Sequence, residues 1–283
     1  MRNQQTNGFR DREISMFPAL VIVVLVLFFL LFYYYLLPFI LPIFAVFYMK
    51  KGNLVRAIQI YDKILRLAPN MGKAWYVRGL LLKRTGQPDE ALRNFDCATR
   101  LSPRHSEAAA EAVMVLMELG RYQEALKRIN QIISTHNCPI NSVLTRSSIQ
   151  IQLQNFPEAE NDCNWVIDHD YDGTASAGAV NNRGLARLGM KNLEAALADF
   201  ELALLLDSRL TITQAHIAGC WLRQGDFKNT VQLCDRILKK DPDCEAALYY
   251  RGLAHQRMGN SELAAQDLNR AKESGYTDDL IER

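Results

Sequence analysis

The chain has no Asn-x-Ser/Thr glycosylation acceptor, no cysteines at CxxC spacing, no HExxH, no glycine-rich phosphate loop and no GxSxG elbow. These absences remove the recognisable signatures of a zinc peptidase, a nucleotide-phosphate cradle, a redox dithiol and a serine hydrolase. Glycine (15) and proline (9) are too few for a collagenous or low-complexity chain. Charge of one sign is lacking as well: 33 Lys and Arg against 31 Asp and Glu leave +2, without clustering. That excludes a phosphate-tracking surface and with it nucleic acid as partner. The six cysteines, Cys97, Cys138, Cys163, Cys220, Cys234 and Cys244, show no framework spacing, which points to a reducing compartment. What is present, 49% apolar and 23% charged among 283 residues, is a globular balance of one or two domains.

Long hydrophobic runs are scarce too, with one exception. From Ile14 to Met49 no charged residue occurs in 36 positions. Phe17 to Leu37 reads FPALVIVVLVLFFLLFYYYLL, 21 residues, which at about 1.5 Å per residue crosses the roughly 30 Å hydrocarbon core of a bilayer. Tyr33, Tyr34 and Tyr35 fall where amphipathic rings favour the headgroups, and Pro38 is placed to end or kink the helix. A cleaved signal peptide has an apolar core of about 7 to 15 residues and a small-residue cleavage site; neither fits. The run is also too short for two crossings and a turn. Residues 1–16 therefore read as a short polar tail, 17–37 as one transmembrane helix in the lipid bilayer, and 38–283 as the remainder. Lys50, Lys51, Arg56, Lys63 and Arg66 outweigh Arg2, Arg10 and Arg12 across the span, which puts the remainder in the cytoplasm.

That remainder repeats. GQPDEALRNFDCATRLSP, KNLEAALADFELAL and GDFKNTVQLCDRILKKDP belong to seven strings that recur every 34 residues, with one interval of 37. The repeats run 38–71, 72–105, 106–139, 140–173, 177–210, 211–244 and 245–278, and the stretch Asp172 to Gly178 breaks phase. The eighth position reads Ala45, Gly79, Val113, Ser147, Gly184, Ala218, Gly252. The twentieth is alanine in six of seven repeats (Ala57, Ala91, Ala125, Ala159, Ala196, Ala264) and Thr230 in the other, far above its usual frequency. The twenty-fourth is Tyr61, Phe95, Ile129, Cys163, Phe200, Cys234 and Leu268.

Small residues at eight and twenty with a bulky one at twenty-four resemble the tetratricopeptide repeat, over nearly everything after the apolar run. The resemblance implies an all-α solenoid, a right-handed superhelix of helix-turn-helix repeats, whose inner wall is made mostly by the first helix of each repeat. Pro69, Pro103 and Pro242 close second helices as in that family, while Asn137, Tyr171, Ser208 and Tyr276 stand there in other repeats. The first repeat counts as partial: its second helix is Leu54 to Leu67, but Phe39 to Lys51 carries Pro42. Polar Gln266, Asn269, Arg270, Lys272 and Glu273 suit the last helix to a solvated cap.

Comparison among the repeats exposes a pairing. Position seven is arginine in four (Arg78, Arg146, Arg183, Arg251), and position twenty-three in those four is Asn94, Asp162, Asp199 and Asp267. Where position seven is Phe44, Ala112 or Ile217, twenty-three is Ile60, Arg128 or Leu233. A guanidinium fork facing a carboxylate or amide across the helix pair is expected, as architecture rather than ligand site.

Other clusters read as structure. His136 with Cys138 lacks a second pair of metal ligands; Cys163 and Cys234 sit on the bulky core position; Asp168, His169, Asp170 and Asp172 read as a solvated loop. No metal, cofactor or catalytic constellation is expected. The inner wall, at positions two, five, six, nine, twelve and thirteen, offers Tyr76, Asn181, Asn182, His216, Arg223, Tyr249, Tyr250 and Arg257 as a partner-binding groove, with Lys73, Lys83 and Arg84 as a basic edge. Tyrosine, asparagine and arginine anchor peptides at low entropic cost. The carboxylate clamp of chaperone-binding members is not met by any three consecutive repeats, although Asn182 holds one of its positions. The layout is similar to bacterial inner-membrane assembly factors, without the paired CxxC motifs that some carry. The expected function is a membrane-anchored adaptor for protein or peptide segments; a permanent auxiliary subunit, and more weakly an enzyme with an unrecognised site, are the alternatives.

Overall fold

The structure, a computed structural model, describes residues 21–103, 107–135, 139–171, 173–274 and 276. Among them are fourteen helices, alternately the first and second helix of seven repeats. The chain divides into two compact units at Leu119 and Gly120. The first holds α1 (Val21–Lys50), α2 (Leu54–Leu67), α3 (Gly72–Arg84), α4 (Pro88–Leu101) and α5 (Glu107–Glu118). The second holds α6 (Tyr122–Thr135), α7 (Ile140–Gln152), α8 (Phe156–His169), α9 (Ser176–Gly189), α10 (Leu193–Leu206), α11 (Thr211–Gln224), α12 (Phe227–Lys240), α13 (Glu245–Arg257) and α14 (Ser261–Glu273). The polar tail, residues 17–20 of the apolar run, and the pair His136 and Cys138 lie outside the described residues.

The turn between the two helices of a repeat has one chemistry. Gly52, Gly86, Gly120, Gly225 and Gly259 all take φ between 69° and 83° at the fifteenth position. In the repeats without glycine there, Gln154 and Lys191 are forced to φ 61° and 63°. The sixteenth residue then starts the second helix: Asn53, Asn192 and Asp226 each accept a hydrogen bond from the backbone N–H three residues on, which satisfies one of the unpaired donors at a helix start.

Inside the pairs that lie within one compact unit the small-and-bulky pattern is a steric fit. Ala57, Ala91, Ala125, Ala159, Ala196 and Thr230 are fully buried, and Phe95 and Phe200 fill the space opened by Gly79 and Gly184. A Cβ on either glycine would sit 2.6 Å from the facing ring, far inside van der Waals contact. Burial pushes the thiols of Cys163 and Cys234 up to about 12; they are packing atoms.

Two expectations about the start of the chain are corrected. Pro38 does not end the apolar helix, which continues through Pro38 and Pro42 to Lys50. A five-residue π turn, Phe32–Leu36, ends two residues before Pro38; its wider winding absorbs a ring that has no N–H to offer the preceding turn. The first repeat is also complete, because the end of α1 is its first helix: Ala45 is fully buried beside Ala57, Tyr61 and Ile64 of α2.

The arginine forks are all formed. Arg146 Nε and Nη2 donate to the two carboxylate oxygens of Asp162 at 2.8 and 2.6 Å. Arg183 grips Asp199 and Arg251 grips Asp267 in the same way, and Arg78 donates to Asn94 Oδ1 at 3.0 Å. Each guanidinium also reaches the second helix of the preceding repeat: Arg78 to Asp62, Arg146 to Asn130, Arg183 to Asn164 and Arg251 to Asp235. One side chain therefore ties three helices together.

Candidate functional site

In the second compact unit the first helices α7, α9 and α11 carry a hydrogen-bonded polar stripe. Asn182 Nδ2 donates to Ser147 Oγ at 3.0 Å and to Ser148 Oγ at 2.9 Å on α7. Its neighbour Asn181 donates to Asn182 Oδ1 at 3.4 Å and accepts from Thr213 Oγ1 of α11 at 2.9 Å. His216 Nδ1 lies 3.2 Å from that same Asn181 oxygen, so Nδ1 is the protonated nitrogen, because a carbonyl oxygen cannot donate. The His216 ring leans on Phe200, centroids 5.2 Å apart.

These bonds use both hydrogens of the Asn182 amide and both lone pairs of the Asn181 oxygen. One hydrogen on Asn181 Nδ2 and one lone pair on Asn182 Oδ1 remain, on adjacent half-buried residues. Arg223, half-buried, and Arg257, exposed, lie farther along α11 and α13 and form no ion pair with any described residue.

Two residues do not stand where the repeat positions put them. Tyr250 is fully buried and Tyr249 is 7% exposed, so both are corrected from groove wall to core. Tyr276 covers them: its ring packs edge-on to Tyr249 at 5.6 Å, and its hydroxyl is 3.3 Å from that of Tyr250. Three tyrosines thus pack together in the seventh repeat.

In the first compact unit Tyr76 is half-buried against Phe95, and burial, then Glu111 and Glu107, raise its hydroxyl pKa. The expected basic edge there is partly neutralised. Lys83 meets Glu111 at 3.3 Å and Glu118 at 3.1 Å; burial alone would lower its pKa, but those two carboxylates outweigh it and the net shift is upward.

The acidic loop also has a structural task. Asp170 Oδ2 accepts from the backbone N–H groups of Ala175 and Ser176 and from Ser176 Oγ, holding the start of α9 after the phase break. His169 stacks on Trp165, centroids 4.3 Å apart, and Asp172 lies outside the described residues. Among the described residues no group of three or more His, Cys, Asp or Glu could hold a metal ion.

Comparison with known proteins agrees with the fold. Three family descriptions match separate stretches: tetratricopeptide repeat over residues 73–155 and again over 177–209, and the Psidin N-terminal tetratricopeptide repeat region over 220–281. A human FK506-binding protein-like protein is 40% identical over 60 residues, 21% of this chain and 17% of that protein; the chain thus spans about a sixth of the length of that curated relative. A tetratricopeptide repeat protein from Parabacteroides merdae superposes with TM-score 0.76 at 19% identity, over 87% of this chain and 96% of its own. YrrB, a tetratricopeptide repeat protein with an unusual peptide-binding site, superposes with TM-score 0.51 at 22% identity, over 60% of this chain and 86% of its own. At these identities the likeness is one of fold.

Proposed function

We propose that this tetratricopeptide repeat protein is a membrane-anchored adaptor that holds a segment of a partner protein against the first-helix wall of its later repeats. Repeats of this kind generally mediate protein–protein interactions, and the observation that carries the reading is the stripe on α7, α9 and α11. The hydrogen left on Asn181 and the lone pair left on Asn182 form a donor and acceptor side by side, the pattern that a peptide unit of an extended segment complements. Arg223 and Arg257 lie on α11 and α13 and are available to carboxylates of that segment.

Anchoring is supported by α1. Its 30 described residues have one window apolar enough to cross a membrane. Beyond residue 37, Phe39 and Ile43 are both 69% exposed, although the other side of the same helix packs on α2. Lipid removes such side chains from water, at about 25 cal/mol for each Å². Lys50 and Lys51 then mark the cytoplasmic surface of an inner membrane. Tethering concentrates partners at that surface without any new contact.

Two measurements test the reading. Alkaline carbonate extraction should leave the full chain in the membrane pellet, and its release contradicts the anchor. Arg223→Glu combined with Arg257→Glu should weaken partner capture at unchanged melting temperature. A partner that co-purifies in fixed ratio through detergent and ignores both substitutions would make the chain a permanent subunit instead.

A further inference from the structure

Four repeats fill one recurring space with an arginine at position seven, whose partners are position twenty-three of the same repeat and position twenty-five of the one before. The sixth repeat does not. Ile217 and Leu233 stand at its two fork positions, and the space between α10, α11 and α12 is open as a cavity of about 690 Å³. Its floor is apolar: Ile217 is 6% and Leu233 8% exposed, with half-buried Trp221 on one side. Glu201, which occupies the place of Asp62, Asn130, Asn164 and Asp235, faces Ile217 where those residues face an arginine, and forms no ion pair with any described residue. Along α12 the mouth carries Arg236, Lys239 and Lys240, which likewise form none. One turn beyond Glu201 the apolar surface continues outward as Leu205, 82% exposed.

We infer that this slot is a second docking site, for a partner-protein segment that seats one bulky apolar side chain on Ile217, Leu233 and Trp221 and carries carboxylates beside it. The three cations against one carboxylate at the mouth select an acidic segment over a basic one. The recessed floor selects a side chain on a narrow segment; a bilayer surface has nothing to reach Ile217 and Leu233 between three helices. Trp221 and the buried aliphatic floor provide the desolvated pocket in which a single anchor contributes most of the binding energy. The slot is made by other repeat positions than the asparagine stripe, so the inference does not rest on the first-helix wall.

The test is selection of a displayed library of short random peptides on the full chain in detergent, with the recovered peptides measured on variants. Ile217→Arg combined with Leu233→Asp rebuilds the fork and closes the slot with the chemistry four other repeats already use. Lys239→Glu combined with Lys240→Glu reverses the charge at the mouth and leaves the core untouched, so it decides alone should the first variant not fold. Enrichment of peptides with an aliphatic or aromatic residue flanked by Asp or Glu is expected, with binding weakened about tenfold or more on either variant and unchanged on Arg223→Glu. No enrichment, a consensus without acidic residues, or binding that survives both slot variants would overturn the inference. Loss on Arg223→Glu alone would assign the peptides to the first-helix wall. Slot-dependent binding of dihexanoylphosphatidylserine in place of peptides would make it a lipid site and equally overturn the inference.

Discussion

Arg183 on α9 grips both carboxylate oxygens of Asp199 on α10, at 3.0 and 2.8 Å, while its third nitrogen reaches Asn164 on α8. Asp199 is buried and also accepts from Arg187 at 2.9 Å. Two cations thus converge on one carboxylate. Arg183→Ala should destabilise the fold by about 1 to 3 kcal/mol, and Asp199→Ala by more, because it leaves both guanidinium groups without their acceptor. In a double-mutant cycle by chemical denaturation the combined loss should fall well short of the sum. Additive losses would show that the fork is not an energetic unit.

Lys191 and Gln154 hold left-handed conformations that five other repeats give to glycine. That geometry costs an L side chain about 1 to 2 kcal/mol, part of which glycine returns through the greater entropy of its unfolded state. Lys191→Gly should therefore stabilise by about 0.5 to 1 kcal/mol. A lowered melting temperature would show that the lysine side chain contributes more than its backbone costs.

Gly184 lies beneath Phe200 with no room for a methyl group. Gly184→Ala should destabilise by about 1 to 3 kcal/mol through overpacking, and Phe200→Leu introduced with it should recover part of that loss. An alanine variant as stable as the parent would mean that the ring shifts freely. Ala196, fully buried at the same crossing, should respond to Ala196→Leu in the same direction.

Cys163 and Cys234 are pushed up to about 12 by burial. Near pH 8 only about one part in ten thousand of either is thiolate, the reactive form. Iodoacetamide should therefore leave both unmodified in the folded chain while it alkylates half-buried Cys97. Modification of Cys163 at the rate of Cys97 would indicate an opened core.

Much of this was legible in the sequence because seven copies of one unit can be compared with one another. The positions of Ala57, Phe95 and Gly184, and the joint variation of Arg183 with Asp199, fixed the helix-pair packing and the forks. The third contact of each fork was not legible. Position twenty-five is polar whether or not an arginine follows, as Asp96 before Ala112 and Glu201 before Ile217 show, so nothing varies with it. Tyr249 and Tyr250 misled because the periodicity does not register Tyr276, outside the helix pair, which packs over them. Asn181 and Asn182 show a further limit. An asparagine facing a ligand and one bonded to the neighbouring repeat have the same spacing, and only the bonds to Ser147 and Thr213 reveal that these two first serve the stack. Asn182→Ala is consequently expected to lower the melting temperature, which makes Arg223 and Arg257 the cleaner probes of binding.

The continuity of α1 bears on truncation. A chain beginning near Gly52 lacks Ala45 and the rest of the first helix, and so uncovers Ala57, Tyr61 and Ile64. The amides of α2 should then exchange far faster than those of α4, whereas in the full chain both are protected. Equal protection in the shortened chain would show that α2 is held by α3 alone.

Partners held on the first-helix wall should be caught there by site-specific photocrosslinking in membranes. A photoreactive residue is placed in turn at Arg223 or Arg257, the proposed wall residues, and at Lys228 on α12, each in the full chain. Arg223 and Arg257 should give an adduct with one and the same protein, and Lys228 should not. An adduct formed only from Lys228 would contradict that placement.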